Sequence, residues 1–237
     1  MKYRNLLFFL FLLVFSFDAS SQDVSTFFDE ADSFFSTYVS NGKVDYSAIY
    51  ENPEPLNKVL AMAKDVSVPI SEEKTYQAFW INAYNLSVIK GIISNYPIKS
   101  PLDKKGFFDK TTYELAGTKI TLNDIENKKL RAKFNEPRFH FVLVCGALGC
   151  PPIIPKAYTP ANLEKLLEKQ TVQALNDPSF IQVKGNKVAF SEIFKWYKED
   201  FIKNGSEIDF LNQYRKEKVS TDAKVTYYSY DWRLNNK

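Results

Sequence analysis

Apolar positions in STFFDEADSFFSTYV, Ser25 to Val39, recur at helical spacing and predict an amphipathic first helix. A turn follows at Asn41-Gly42, then a short extended or helical piece in VDYSAIY, and EPLNKVLAMAKDV has the pattern of a second helix. The strongest helical signal is SEEKTYQAFWINAYNLSVIKGIISNYP: Ser71 as a cap, acidic residues in the first turn, and Tyr96-Pro97 as the stop. Its middle, AFWINAYNLSVI, is apolar on nearly every side, so the helix from Tyr76 to Ile93 is expected at the centre of the fold. Phe79, Trp80 and Ile81 should be packed all round. Asn82, Tyr84 and Asn85 stand out there, because polar groups inside an apolar helix cost free energy unless they are paired. They line a pocket or bond to loop backbone, and the second reading is slightly favoured.

The period then changes. TTYELAGTKITL alternates about Ala116-Gly117 and predicts a hairpin, and Thr121 with Asp124 has the form of a capping box for the short helix LNDIENKKLRA. RFHFVLVC is a continuous β-branched and aromatic run that suits a buried central strand. Thr159-Pro160 predicts a helix start before ANLEKLLEKQTVQAL, and SFIQVKGNKVAFS a second hairpin turning at Gly185-Asn186. Ser191 caps EIFKWYKEDFIKN, a further short helix covers IDFLNQYRK, and KVTYYSYDW is a strand. Helices and hairpins interleave without regular β-α-β units. The expected class is α+β: a single domain with a buried central helix, hairpins and a buried strand carrying the histidine and cysteines.

The start of the chain bears on compartment. MKYRN is a short basic lead, and Leu6 to Phe17 is an unbroken apolar run, shorter than the roughly 20 residues of a spanning helix. Ala19 and Ser21 are small residues at −3 and −1 of a cut before Gln22. A signal peptide over 1–21 and a single domain over 22–237 are expected, with export to the periplasm or beyond the cell and no membrane anchor after cleavage. Hydrophobic residues make up 45% and aromatics 16%, enough for a substantial core. Without the first 21 residues the formal charge falls from +3 to +2, which favours neither nucleic acid nor an anionic membrane as partner.

Candidate chemistry gathers in FHFVLVCGALGCPP, Phe139 to Pro152, which contains His140, the chain's sole histidine, and both cysteines, Cys145 and Cys150. No glycine-rich phosphate loop and no G-x-S-x-G elbow occurs. One histidine and two cysteines supply three metal ligands at most, so neither a metal nor a cofactor is expected. A cysteine nucleophile is the sharpest alternative. Cys145 would attack, with His140 as base, Glu126 as its orienter, Asn82 as a donor to the oxyanion, and N–H groups of the following turn as an oxyanion hole. In a straight strand, however, residues five apart lie about 16 Å apart on opposite faces, which separates His140 from Cys145. The glycines of CGALGC equally allow a Cys145–Cys150 disulfide in an oxidising compartment. His140, between two phenylalanines, also fits a core histidine, and Glu126 an exposed carboxylate with Arg131 as partner.

Five blocks in this order carry a resemblance: AFWINAYN, TLNDIENKKLR, RFHFVLVCGALGCPP, FSEIFKWYKEDF and YSYDWRLN. From about Gln77 to Asn235 the chain resembles the family known as domain of unknown function 547. The likeness includes Asn82, Asn85, Glu126, Arg131, His140, Cys145, Cys150, Trp196, Asp200 and Asp231, and it implies that the histidine, cysteines and asparagine helix belong to one shared design. It implies no activity. The leading expectation is a non-catalytic exported binding or scaffold domain whose partner is a small molecule or peptide; the alternative is a thiol-dependent hydrolase or acyl transferase acting on peptide or amide bonds.

The apolar lead generates the first test. Mass spectrometry of protein from its native host should find a mature chain beginning near Gln22; a mass that retains residues 1–21 would refute cleavage.

Overall fold

The structure, a computed structural model, describes residues 24–237, so the expected signal peptide and its cut lie outside the described residues. Helix α1 (Val24–Tyr38) leads into a short hairpin of β1 (Val39–Ser40) and β2 (Lys43–Val44), turned at Asn41-Gly42. Helices α2 (Tyr46–Glu51) and α3 (Glu54–Asp65) follow, and with α1 they pack against α4 (Glu73–Ile93). Sixteen of the 21 residues of α4 are buried, Phe79, Trp80 and Ile81 among them, as its all-round apolar pattern predicts. Ser71 does not cap it; Glu72 holds that position without a side-chain bond.

The hairpin of β3 (Thr112–Leu115) and β4 (Thr118–Thr121) turns at Ala116-Gly117, both at positive φ. The turn donates from Ala116 N–H to Ala63 C=O at 2.8 Å and from Gly117 N–H to Lys64 C=O at 2.7 Å. These bonds satisfy carbonyls that a helix leaves open in its last turn, so the hairpin is also the C-terminal cap of α3. Thr121 Oγ1 accepts from Asp124 N–H and starts α5 (Leu122–Asp124), which widens into a π-helical turn over Ile125–Arg131.

The segment expected as a central strand is not one. Pro137–Phe141 is a 3-10 turn, with Pro137 in its first turn and the Glu136 carboxylate accepting from Arg138 N–H. Beyond it, Asn85 of α4 replaces the neighbour strand. Its Nδ2 donates to Val142 C=O at 2.9 Å, and its Oδ1 accepts from Val144 N–H at 2.8 Å. An apolar run is buried in either conformation. What decides is where the backbone polar groups go.

After a loop, α6 (Leu163–Asn176) begins three residues later than Thr159-Pro160 suggests; the Asn162 side chain ties that approach to Thr159 N–H and Ala157 C=O. Strands β5 (Ile181–Val183) and β6 (Lys187–Ser191) form the second expected hairpin. Then come α7 (Glu192–Trp196), capped by Ser191, α8 (Lys198–Phe201) and α9 (Glu207–Tyr214). Strand β7 (Lys224–Tyr228) returns parallel to β6. The three helices are therefore a crossover between parallel strands, a β-α-β unit that the pattern of the sequence does not announce. The class is α+β as expected.

Two apolar clusters divide the interior. One surrounds α4; the other is built on Phe141, Phe190, Phe194, Phe201 and Phe210 around the three-stranded sheet. The 3-10 turn bridges them, with Phe139 in the first and Phe141 in the second. His140 sits between, at the seam.

The Asn85 amide gives a direct test. Asn85→Leu fills the space but leaves the Val142 carbonyl and Val144 N–H unpaired, and at about 1–3 kcal/mol per orphaned buried group the loss should be about 2–6 kcal/mol. Denaturant unfolding would read it. A loss under about 0.5 kcal/mol, the range of an ordinary surface change, would show that the clamp carries no weight.

Candidate functional site

At the seam lies a cavity of about 200 Å³, lined by Glu126, His140, Cys145 and Cys150 and by six aromatic rings: Tyr84, Phe108, Trp196, Tyr197, Tyr230 and Trp232. Each wall has a structural cause. The π turn brings Glu126 in, the 3-10 turn His140, α4 Tyr84 and α7 Trp196. Tyr230 and Trp232 lie just beyond β7.

His140 is fixed on several sides. Its Nε2 lies 2.8 Å from Asp200 Oδ2, its Nδ1 is 3.9 Å from Glu126 Oε1, and its ring stacks on Tyr197 at 4.0 Å between centroids. Burial raises the Asp200 pKa, but hydrogen bonds from His140 and Arg131 outweigh it and hold the carboxyl well below the usual carboxylate range. Ionised Asp200 places the proton on Nε2 and leaves Nδ1 toward Glu126. Arg131 Nε donates to Asp200 Oδ2 at 2.6 Å, and its guanidinium lies 4.8 Å from the Tyr197 ring centre.

Two expectations are corrected. Glu126 is 9% exposed, not a surface carboxylate. Arg131 pairs with Asp200 and Asn127 rather than with Glu126. Phenols surround the Glu126 carboxylate instead. Burial chiefly, and its charge in addition, raise the pKa of Tyr84, Tyr197 and Tyr230, so all three keep their hydroxyl protons near neutrality.

The sulfurs of Cys145 and Cys150 are at disulfide distance, with Cα atoms 6.4 Å apart. The Tyr230 hydroxyl is 2.9 Å from each sulfur. Cys145 and Cys150 follow no strand, so the separation of about 16 Å that a strand would impose on His140 and Cys145 does not apply. The turn between the cysteines is held by residues 231–235. Leu148 N–H donates to Arg233 C=O and Gly149 N–H to Asp231 C=O, both at 2.8 Å, and Asn235 N–H to Gly146 C=O at 3.0 Å. Gly149 is required there, since a Cβ would come within 2.9 Å of the Asp231 backbone nitrogen.

Of the four residues singled out as a catalytic set, Cys145, His140 and Glu126 meet at the cavity and Asn82 does not. Asn82 is fully buried, and its amide is committed to Tyr158: Nδ2 donates to the carbonyl at 2.7 Å and Oδ1 accepts from the N–H at 3.0 Å. It clamps a loop as Asn85 does. Of the N–H groups in the turn after Cys145, expected to form an oxyanion hole, those of Leu148, Gly149 and Cys150 are bonded to backbone carbonyls. Sequence reasoning missed Phe108, Tyr197, Tyr230 and Trp232. The signal was present in the aromatic density of KWYKED and YSYDW, whose rings have no fixed helical or strand period.

The chain is thus an α+β domain whose aromatic cavity encloses a histidine, a carboxylate and a cysteine pair. The family model described as "Protein of unknown function, DUF547" matches residues 70–175, so that segment is similar to this family. The matched segment includes Glu126, His140, Cys145 and Cys150; Trp196, Tyr197, Asp200 and Tyr230 lie beyond it. No curated protein and no solved structure matches the chain.

The Asp200 carboxyl sets a pH dependence. Its folded-state pKa is depressed, so its contribution to stability is present above the unfolded value of about 3.9 and is lost as pH falls through the folded value. Asp200→Asn should therefore lose less stability than the wild type when thermal melts are compared between about pH 5 and about pH 2. Parallel profiles for the two proteins would contradict the ionised Asp200–His140 pair.

Proposed function

We propose that this is an exported binding domain that takes a small molecule, or one side chain of a peptide, into the cavity between its two apolar clusters. The observation that carries this reading is the cavity itself: six aromatic rings around a small convergent polar set. Its size suits such a ligand, since a cavity of about 150 Å³ already admits benzene. Trp196 remains 45% exposed although it stacks on Trp232 and packs at a tilt against Tyr230, which leaves indole surface at the rim for a ligand to cover.

A second reading, a thiol-dependent hydrolase or acyl transferase, draws support from the placing of His140, braced by Asp200, on the same cavity as Cys145. Two features weigh against it. The sulfur is at disulfide distance from Cys150, and Asn82 and the N–H groups of Leu148, Gly149 and Cys150 are committed elsewhere.

Tryptophan fluorescence and thermal shift against a diverse small-molecule and peptide set should find binders whose effect Leu143→Trp, which fills the cavity, removes. In parallel, native protein should resist iodoacetamide until reductant is added. Turnover of an amide or ester by reduced protein, abolished in Cys145→Ser, would favour the hydrolase; no binder and no turnover would sink both readings.

A further inference from the structure

Glu126 is a buried carboxylate without a cationic partner of its own among the described residues. Its nearest basic contact is His140 Nδ1 at 3.9 Å. Arg131, the closest guanidinium in sequence, is held by Asp200 and Asn127. Among the described residues no lysine or arginine lines the cavity, so Glu126 brings a formal negative charge to a wall otherwise made of rings, the cysteine pair, Asn123, His140 and two aliphatic side chains. Buried charges are ordinarily paired, because an isolated one is poorly solvated. Here the rings offer the complement. Trp196, Tyr230 and Trp232 form a mutual cluster with centroids 4.8–5.8 Å apart, and Phe108 reaches Trp232 at 6.2 Å. Ring faces carry negative potential and attract cations, alkylated ammonium groups above all.

We propose that the cavity takes an organic cation, an alkyl-substituted ammonium, with Glu126 as counter-charge and Trp196, Tyr230 and Trp232 as the ring faces that cover its methyl groups. This rests on the reading that the cavity binds a ligand, and it fixes the chemical class. A free amine or metal ion of the same charge fits less well. The first holds its water tightly and the second needs several oxygen ligands, whereas Glu126 is the only carboxylate in the lining among the described residues. A quaternary ammonium sheds water readily and offers apolar surface to indole.

Calorimetric titration of the oxidised protein with choline and with its neutral isostere 3,3-dimethylbutan-1-ol separates charge from shape. Choline should bind at least about tenfold more tightly than the isostere, the size of a desolvated cation–π contact plus one ion pair. Glu126→Gln should weaken choline by about tenfold or more and leave the isostere unchanged, with circular dichroism confirming the fold. Trp196→Ala, at a position largely open to solvent, should weaken choline several-fold if Glu126→Gln does not fold. Equal binding of the two probes, or choline binding indifferent to both substitutions, would overturn the cation and leave the binding domain standing. The cation is equally overturned if choline fails while a neutral or anionic aromatic, phenol or benzoate, quenches the cavity tryptophans. If none of these probes binds, the cation proposal falls, and the binding reading falls with it once the broader ligand set also fails.

Discussion

Two carboxamides on one helix each hold a distant loop, and the loop held by Asn85 carries part of the site. Asn82 and Asn85 lie three residues apart on α4, each fully or nearly fully buried, and each closes a two-point clamp on the backbone of a segment far away in sequence. A carboxamide offers a donor and an acceptor side by side, the pair that an adjacent strand would offer, but at one position and without a ladder. Val142–Val144 can then lie in the interior with irregular backbone whose Val142 carbonyl and Val144 N–H are both satisfied. That freedom lets the chain turn at Cys145, return at Cys150 and leave His140 facing the seam. A hydrophobic residue at either asparagine would keep the burial and lose the loop.

The electrostatics of the seam follow from what each carboxylate touches. Asp200 has Arg131 and His140 at hydrogen-bond distance and behaves as a paired ion. Glu126 has the Tyr197 hydroxyl as a hydrogen-bond donor, which carries no positive charge. The two groups are joined through one imidazole, so a change at Nδ1 of His140 is felt at Asp200. The cysteine pair is linked to the same cavity through the Tyr230 hydroxyl, which bonds both sulfurs.

Much of this was legible in the chain. The apolar belt of AFWINAYNLSVI locates the central helix, and the Ala116-Gly117 and Gly185-Asn186 turns locate two of the three hairpins, because those signals are local. The two buried asparagines were recognised as anomalies with the right remedy, a bond to loop backbone. The strand expected over RFHFVLVC was wrong for a reason that no local pattern carries: its hydrogen-bond partner is a side chain on α4, more than fifty residues earlier. The partnership of Arg131 with Asp200, 69 residues apart, was likewise beyond a reading that looks for neighbours along one helix. Glu126, His140 and Cys145 could be named from residue type and spacing. The aromatic walls could not, since they come from separate elements whose meeting depends on the crossover between β6 and β7.

The bonding of residues 231–237 to the cysteine turn, Lys99 and Val44 has a kinetic consequence. Asn235 bonds Gly146 through its N–H and Val44 through its carbonyl, and its side chain accepts from Tyr46 across 189 positions of sequence. Contacts of such separation form late, because a very large loop must close before they return any free energy. The helices around α4 can assemble as they are synthesised, but the cysteine turn lacks its partners in residues 231–235 until this final stretch arrives. During synthesis the nascent chain would therefore hold a formed interior beside an unfinished rim, with both thiols open to whatever oxidant or chaperone meets them first.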